Sequence, residues 1–151
     1  MSRILCKLRC MSRRYNIDGV TYRFLAVKED GDPENTLFWK FTPYGELSMS
    51  YPTPDDPGFE PGAVFYVELA ELEDFETPSE AWKSKLVWRI SEIYITGLAA
   101  RMYTLKRDAS RWNSSPAPHD GTFRFSVDNS GAIGVMAEKI FSYWSLTIRP
   151  V

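Results

Sequence analysis

The sequence predicts a mainly β protein made of two tandem five-stranded antiparallel repeats, each barrel- or sandwich-like, with at most one short helix between them. Three observations carry this expectation. The order of strand-like segments and turn signals in residues 8–72 recurs in residues 86–150. Apolar and polar residues alternate at period two, the signature of a strand buried on one face. Clusters of Gly, Pro, Asn and Asp separate these segments at short intervals.

The recurrence is visible residue by residue. Gly19, Arg23, Lys28 and Asp30 fall in register with Gly97, Arg101, Lys106 and Asp108, and the apolar steps between them agree. Trp39-Lys40-Phe41 followed by residues 44–49 lies against Phe125-Ser126-Val127 followed by residues 130–135, each a strand, a glycine turn and a strand. Phe65-Tyr66-Val67-Glu68-Leu69 lies against Tyr143-Trp144-Ser145-Leu146-Thr147. The implied organisation is a first repeat over 1–76, a linker over 77–85 and a second repeat over 86–151. A repeat of this size is near the lower limit for an independent core, and two packed together relieve that limit.

The elements follow in order. Ile4, Cys6, Leu8 and Cys10 share one face of the first strand, with Arg3, Lys7 and Arg9 on the other. Two cysteines four residues apart on a strand lie about 13 Å from each other, too far to bond, so both are expected as reduced core residues. Val20, Tyr22, Phe24 and Ala26 oppose Thr21, Arg23 and Leu25 in the second strand, and Leu37, Trp39 and Phe41 oppose Phe38 and Lys40 in the third. Leu47, Met49 and Tyr51, then Phe65, Val67 and Leu69, define the fourth and fifth. Gly31-Asp32-Pro33, Thr42-Pro43-Tyr44-Gly45 and the proline-rich 52–61 mark the loops. The second repeat supplies strands near 86–90, 98–105, 123–127, 133–137 and 141–148. Residues 78–83 read as one helical turn, capped by Thr77 or Ser79 with Pro78 at its start.

Composition narrows the function classes. Hydrophobic residues make up 44% of the chain and aromatics 15%, a globular rather than disordered balance. No apolar run approaches the roughly 20 residues of a membrane span. The N-terminus lacks the apolar core of a signal peptide, so synthesis in the cytoplasm is expected. Net charge is −2 but segregated: seven Lys or Arg against three Asp or Glu in residues 1–30, one against twelve in 31–80, and ten against five in 81–151. A strongly acidic middle suits a complementary protein surface better than a nucleic-acid groove.

Catalytic and metal chemistry find few candidates. His119 is the single histidine and, with Cys6 and Cys10, falls short of a zinc ligand set. His119-Asp120 with Ser114 and Ser115 nearby is a loop cluster, whereas a triad converges from separate elements. No phosphate-cradling glycine motif with a following lysine is present. The chain is therefore read as a non-enzyme with no cofactor or metal. Protein contact is assigned to the acidic loop residues Asp55, Asp56 and Glu60 and to Arg111 and Trp112, because residues 108–121 are longer than their counterpart and carry a tryptophan. The alternative is single-stranded nucleic acid stacked on Arg13, Arg14 and Tyr15 at the end of the first strand.

Three stretches also carry a family resemblance: Lys7-Leu8-Arg9-Cys10; Glu34-Asn35-Thr36-Leu37-Phe38-Trp39-Lys40-Phe41-Thr42-Pro43-Tyr44-Gly45-Glu46-Leu47; and Phe59-Glu60-Pro61-Gly62-Ala63-Val64-Phe65-Tyr66-Val67-Glu68. Together, across about residues 7–69, they resemble a family of small tailed-bacteriophage proteins with an E-N, aromatic, T-P-x-G, F-E-P-G pattern. The second half lacks the F-E-P-G turn. That family has no established activity, so the resemblance implies a phage origin rather than a mechanism. Tandem β units, reduced cysteines and segregated charge then lead to an expectation of a virion structural or assembly protein, either capsid cement or decoration or tail-associated. Its partners would be other virion subunits or further copies of itself, reached from the host cytoplasm. The competing expectation is an intracellular binder of a host defence protein or of single-stranded nucleic acid through an OB-like barrel.

Overall fold

Period-two alternation becomes eight strands in a computed structural model that describes residues 3–28, 31–40, 44–72, 86–96, 100–108, 117–128 and 142–151, with the backbone alone for 37–40, 96, 100, 127 and 128. The elements are β1 (Arg3–Asn16), β2 (Gly19–Ala26), α1 (Pro33–Lys40), β3 (Tyr44–Tyr51), a 3-10 turn (Thr53–Asp55), β4 (Val64–Glu71), β5 (Val87–Thr96), β6 (Ala100–Arg107), β7 (Asp120–Asp128) and β8 (Tyr143–Pro150). All strands pair antiparallel and close one barrel in the order β1-β2-β3-β7-β6-β5-β8-β4.

This corrects the expectation of two five-stranded repeats. The first half of the chain supplies four strands, because the segment read as the Leu37-Trp39-Phe41 strand is α1 over residues 33–40. Asp32 makes the helix: its Oδ1 accepts the backbone N–H groups of Glu34 (3.0 Å) and Asn35 (3.2 Å), and Pro33 stands at the first helical position. Leu37, Phe38 and Trp39 are consecutive and apolar, a run whose period does not distinguish strand from helix. Asn35 fastens the helix to the barrel. Its buried amide accepts from the Lys7 N–H and donates to the Val27 carbonyl, both at 2.6 Å, bridging the end of the β1–β2 ladder. The strand expected near 133–137 and the helical turn expected at 78–83 lie outside the described residues.

The halves nevertheless share one plan. Around the barrel the first reads β4-β1-β2-β3 and the second β8-β5-β6-β7, so each places its fourth strand beside its first. Register shifts fall at matching places, between Cys10 and Ser12 after the Cys10–Phe24 pair and between Ile90 and Glu92 after the Ile90–Leu105 pair. Phe24 pairs with Leu47, Leu105 pairs with Phe123, and Leu47 and Phe123 pair with each other across the β3–β7 seam. At the other seam Leu8 pairs with Phe65 and Trp88 with Trp144; three residues on from these partners, Glu68 and Thr147 pair directly. Both seams therefore straddle one approximate two-fold axis across the barrel, which exchanges its ends. The structural equivalence differs from the expected one: β3 matches β7, not residues 130–135.

Inward positions fill the lumen. Cys6, Leu8, Tyr22, Phe24, Leu47, Met49, Val67, Leu69, Trp88, Ile90, Leu105, Phe123, Phe125, Trp144 and Leu146 are all buried in one cluster. An eight-stranded barrel is just wide enough to be filled by its own side chains. Two glycines give way to neighbours. A Cβ on Gly121 would lie 2.5 Å from the Trp88 ring, and one on Gly19, at φ 146°, would lie 2.1 Å from the Tyr51 carbonyl oxygen.

Candidate functional site

Strand β3 leaves the barrel at the end where β1 turns into β2, and residues 52–63 cross that mouth before β4 begins. Phe59, in the F-E-P-G stretch, enters the mouth. Its ring lies 4.9 Å from Phe65, 5.1 Å from Tyr22, 5.5 Å from Phe24 and 6.3 Å from Tyr51, all tilted edge to face. Gly58 and Gly62 flank it at φ 71° and 93°, letting the chain turn sharply on either side.

Polar contacts hold this plug. The Tyr22 hydroxyl donates a short hydrogen bond to Asp56 Oδ1, which also accepts the Gly58 N–H at 2.9 Å. Arg13 Nη1 donates to Glu60 Oε1 (3.2 Å) and to the Phe59 carbonyl (3.4 Å), and its guanidinium lies 5.6 Å from the Tyr15 ring centre. Partial burial pushes the Asp56 carboxyl up, but the Tyr22 hydroxyl, the Gly58 N–H and the Arg13 charge outweigh it and hold the group below its ordinary value. Burial, followed by the Asp56 hydrogen bond, pushes the Tyr22 phenol well up. Tyr51 moves the same way through burial. Near neutral pH the tyrosines thus stay protonated and Asp56 ionised, an arrangement that holds a loop rather than transferring protons.

The structure joins two groups that the sequence reading kept apart. Asp56 and Glu60, expected as outward protein contacts, engage Tyr22 and Arg13 of their own chain, the latter drawn from the cluster expected to contact nucleic acid. Asp55 closes the 3-10 turn and is half-buried. Arg14 and Tyr15 remain exposed on the β1–β2 hairpin. Arg111 and Trp112 lie outside the described residues. Cys6 and Cys10 are buried and not joined in a disulfide, their thiols donating to the Val67 and Ser12 carbonyls, and burial raises the pKa of both. Among the described residues no group of three or more His, Cys, Asp and Glu side chains converges on a metal position. His119 lines a shallow polar hollow of about 140 Å³ with Asn16, Asp18, Thr21 and Ser50, beside the hairpin turn.

Sequence reasoning missed Phe59 and the exposed apolar side chains on the β1–β2 and β5–β6 hairpins. The glycines bracketing Phe-Glu-Pro signalled a sharp excursion around a large apolar residue, the pattern of a side chain turned inward. Ile17 next to Asp18-Gly19 placed an apolar residue in a tight turn, where burial is least available.

Fold and site together define a closed eight-stranded antiparallel barrel whose described inward side chains form one buried cluster, with one mouth plugged by its own loop. No known protein-family model matches the chain and no curated protein matches it. No helix among the described residues is long and apolar enough to cross a membrane.

Proposed function

We propose that this chain is a non-enzymatic structural or assembly protein of a bacteriophage particle, a capsid cement or decoration protein or a tail-associated one, that binds other virion subunits. One observation carries the binding role: the barrel keeps its interior for its own side chains while displaying large apolar ones outside. Among the described residues, Leu8, Tyr22, Phe24, Trp88, Phe123 and Trp144 pack against one another inside, whereas Met11, Tyr15, Ile17, Tyr94 and Ile95 stand exposed on two hairpins. The phage setting rests on the resemblance over residues 7–69. Since Asp56 and Glu60 hold the plug, the hairpins are the better contact surface; Arg111 and Trp112 belong to the contact by the sequence argument alone.

The alternative, an intracellular binder of a host defence protein or of single-stranded nucleic acid, has less support. OB-type barrels have five strands where this one has eight, and Arg13 is already paired with Glu60. Mass spectrometry of what a tagged copy retains from infected cells, with and without nuclease, separates the readings. Recovery of capsid or tail subunits regardless of nuclease is the expected result; recovery of a host enzyme, or of material lost with nuclease, overturns it.

A further inference from the structure

We propose that the two hairpins are complementary halves of a self-association contact, in which the β1–β2 arm of one copy docks on the β5–β6 arm of the next. The proposal deepens the assembly reading and takes its biological setting from it. In both hairpins the first strand runs on past its outer neighbour, while β2 and β6 stay paired with β3 and β7 as far as Val20 and Ala100. Pairing of β1 with the β4 side ends where the Gly62 N–H meets the Cys10 carbonyl (2.7 Å), and pairing of β5 with the β8 side ends where the Ile90 N–H meets Ser142 (3.1 Å). Beyond those points residues 12–16 and 92–96 pair with β2 and β6 on one side only, among the described residues. Such edges accept another strand unless they are blunted by charge, proline or cover.

Side chains make these edges sticky. Ile17 is 99% exposed and Tyr15 63%, with Met11 at the base of the first arm; Tyr94 and Ile95 are 58% and 53% exposed on the second. The charges are complementary. Arg14 on the first arm and Glu92 on the second are both exposed, and neither makes an ion pair among the described residues. Each lies on the outward side of its arm, since Arg14 pairs with Thr21 and Glu92 with Thr104, both positions facing away from the lumen. Each arm of a copy is met by a different neighbour, because one arm offers what the other lacks. Antiparallel steps from β1 through β4 and β8 to β5 point the arms out of opposite ends of the barrel. An arm-to-arm contact is therefore heterologous and propagates head to tail into a filament, or into a ring if its rotation closes.

Light scattering on the full chain over roughly micromolar to millimolar concentration, the range of weak and moderate association, tests this. The expected result is a mass that rises above that of one chain. Arg14→Glu or Glu92→Arg alone should move the midpoint about tenfold higher, as like charges replace an attraction, and the two changes combined should restore it. Ile17→Asp should abolish the rise. A single-chain mass throughout, or association that the combined swap fails to restore, overturns the contact. If copies stay single while the tagged chain still recovers virion subunits, this inference falls and the assembly reading stands.

Discussion

Truncating Phe59 tests whether the proline-rich loop is part of the fold or a solvated appendage. Phe59→Ala removes a ring that touches Phe65, Tyr22, Phe24 and Tyr51 at 4.9 to 6.3 Å and opens the barrel mouth above Phe24. Truncation of a fully buried phenylalanine costs roughly 3–5 kcal/mol, and the partial exposure of Phe59 brings the expected loss to about 2–3 kcal/mol. In a chain of this length that corresponds to a melting temperature lower by roughly 5–10 °C. Urea denaturation followed by tryptophan fluorescence measures it, with a shifted midpoint at unchanged slope as the expected signature. Thr53→Ala, an exposed change in the same loop, should stay within about 0.5 kcal/mol of the parent. If Phe59→Ala also falls within that margin, the plug does not hold the mouth and the loop's acids are free for outside contacts.

Two further expectations rest on the same geometry. Because the Asp56 carboxyl is held below its ordinary value in the folded chain, its contribution is fully present above about pH 4 and is lost as pH falls through the folded value; Asp56→Asn should therefore flatten the acid limb of stability against pH, and an unchanged limb would show that the Tyr22 contact is not coupled to folding. The two-fold relation makes Pro150 and Lys7 the counterparts of Glu71 and Val87, the ends of the crossover over residues 72–86. With Val151 and residues 1–6 supplying part of that path, a Gly/Ser linker of roughly eight residues completes it. A circular permutant joined there and opened within 77–85 should unfold cooperatively with nearly the parental midpoint, whereas non-cooperative melting would contradict the equivalence of the two halves.

Much of the barrel wall was legible in the chain. Alternation over Ile4 to Cys10, Val20 to Ala26, Leu47 to Tyr51 and Phe65 to Leu69 assigned inward and outward faces as observed, because successive side chains of a strand point to opposite sides. The expected recurrence between halves did not give the register: α1 interrupts the comparison after β2, and residues 44–49 were set against 130–135, whereas β3 matches β7. The helix escaped because its cause is a cap, Asp32 bonding two N–H groups in the next turn, while its apolar run of Leu37, Phe38 and Trp39 has no single parity. Asp56 and Glu60 escaped for a different reason. Their partners Tyr22 and Arg13 lie 34 and 47 residues away, and nothing local distinguishes a solvated carboxylate from one folded back on its own barrel.

By itself, then, the sequence determined the mainly β character and the buried face of most strands, since each of these depends on neighbours one to four residues apart. Only the tertiary structure decided that the halves close a single barrel, that β3 meets β7 and β4 meets β8, and that Phe59 stoppers the mouth. Those outcomes depend on closure: a strand's hydrogen bonds are satisfied by whichever edge reaches it, and that choice is made by the whole sheet at once.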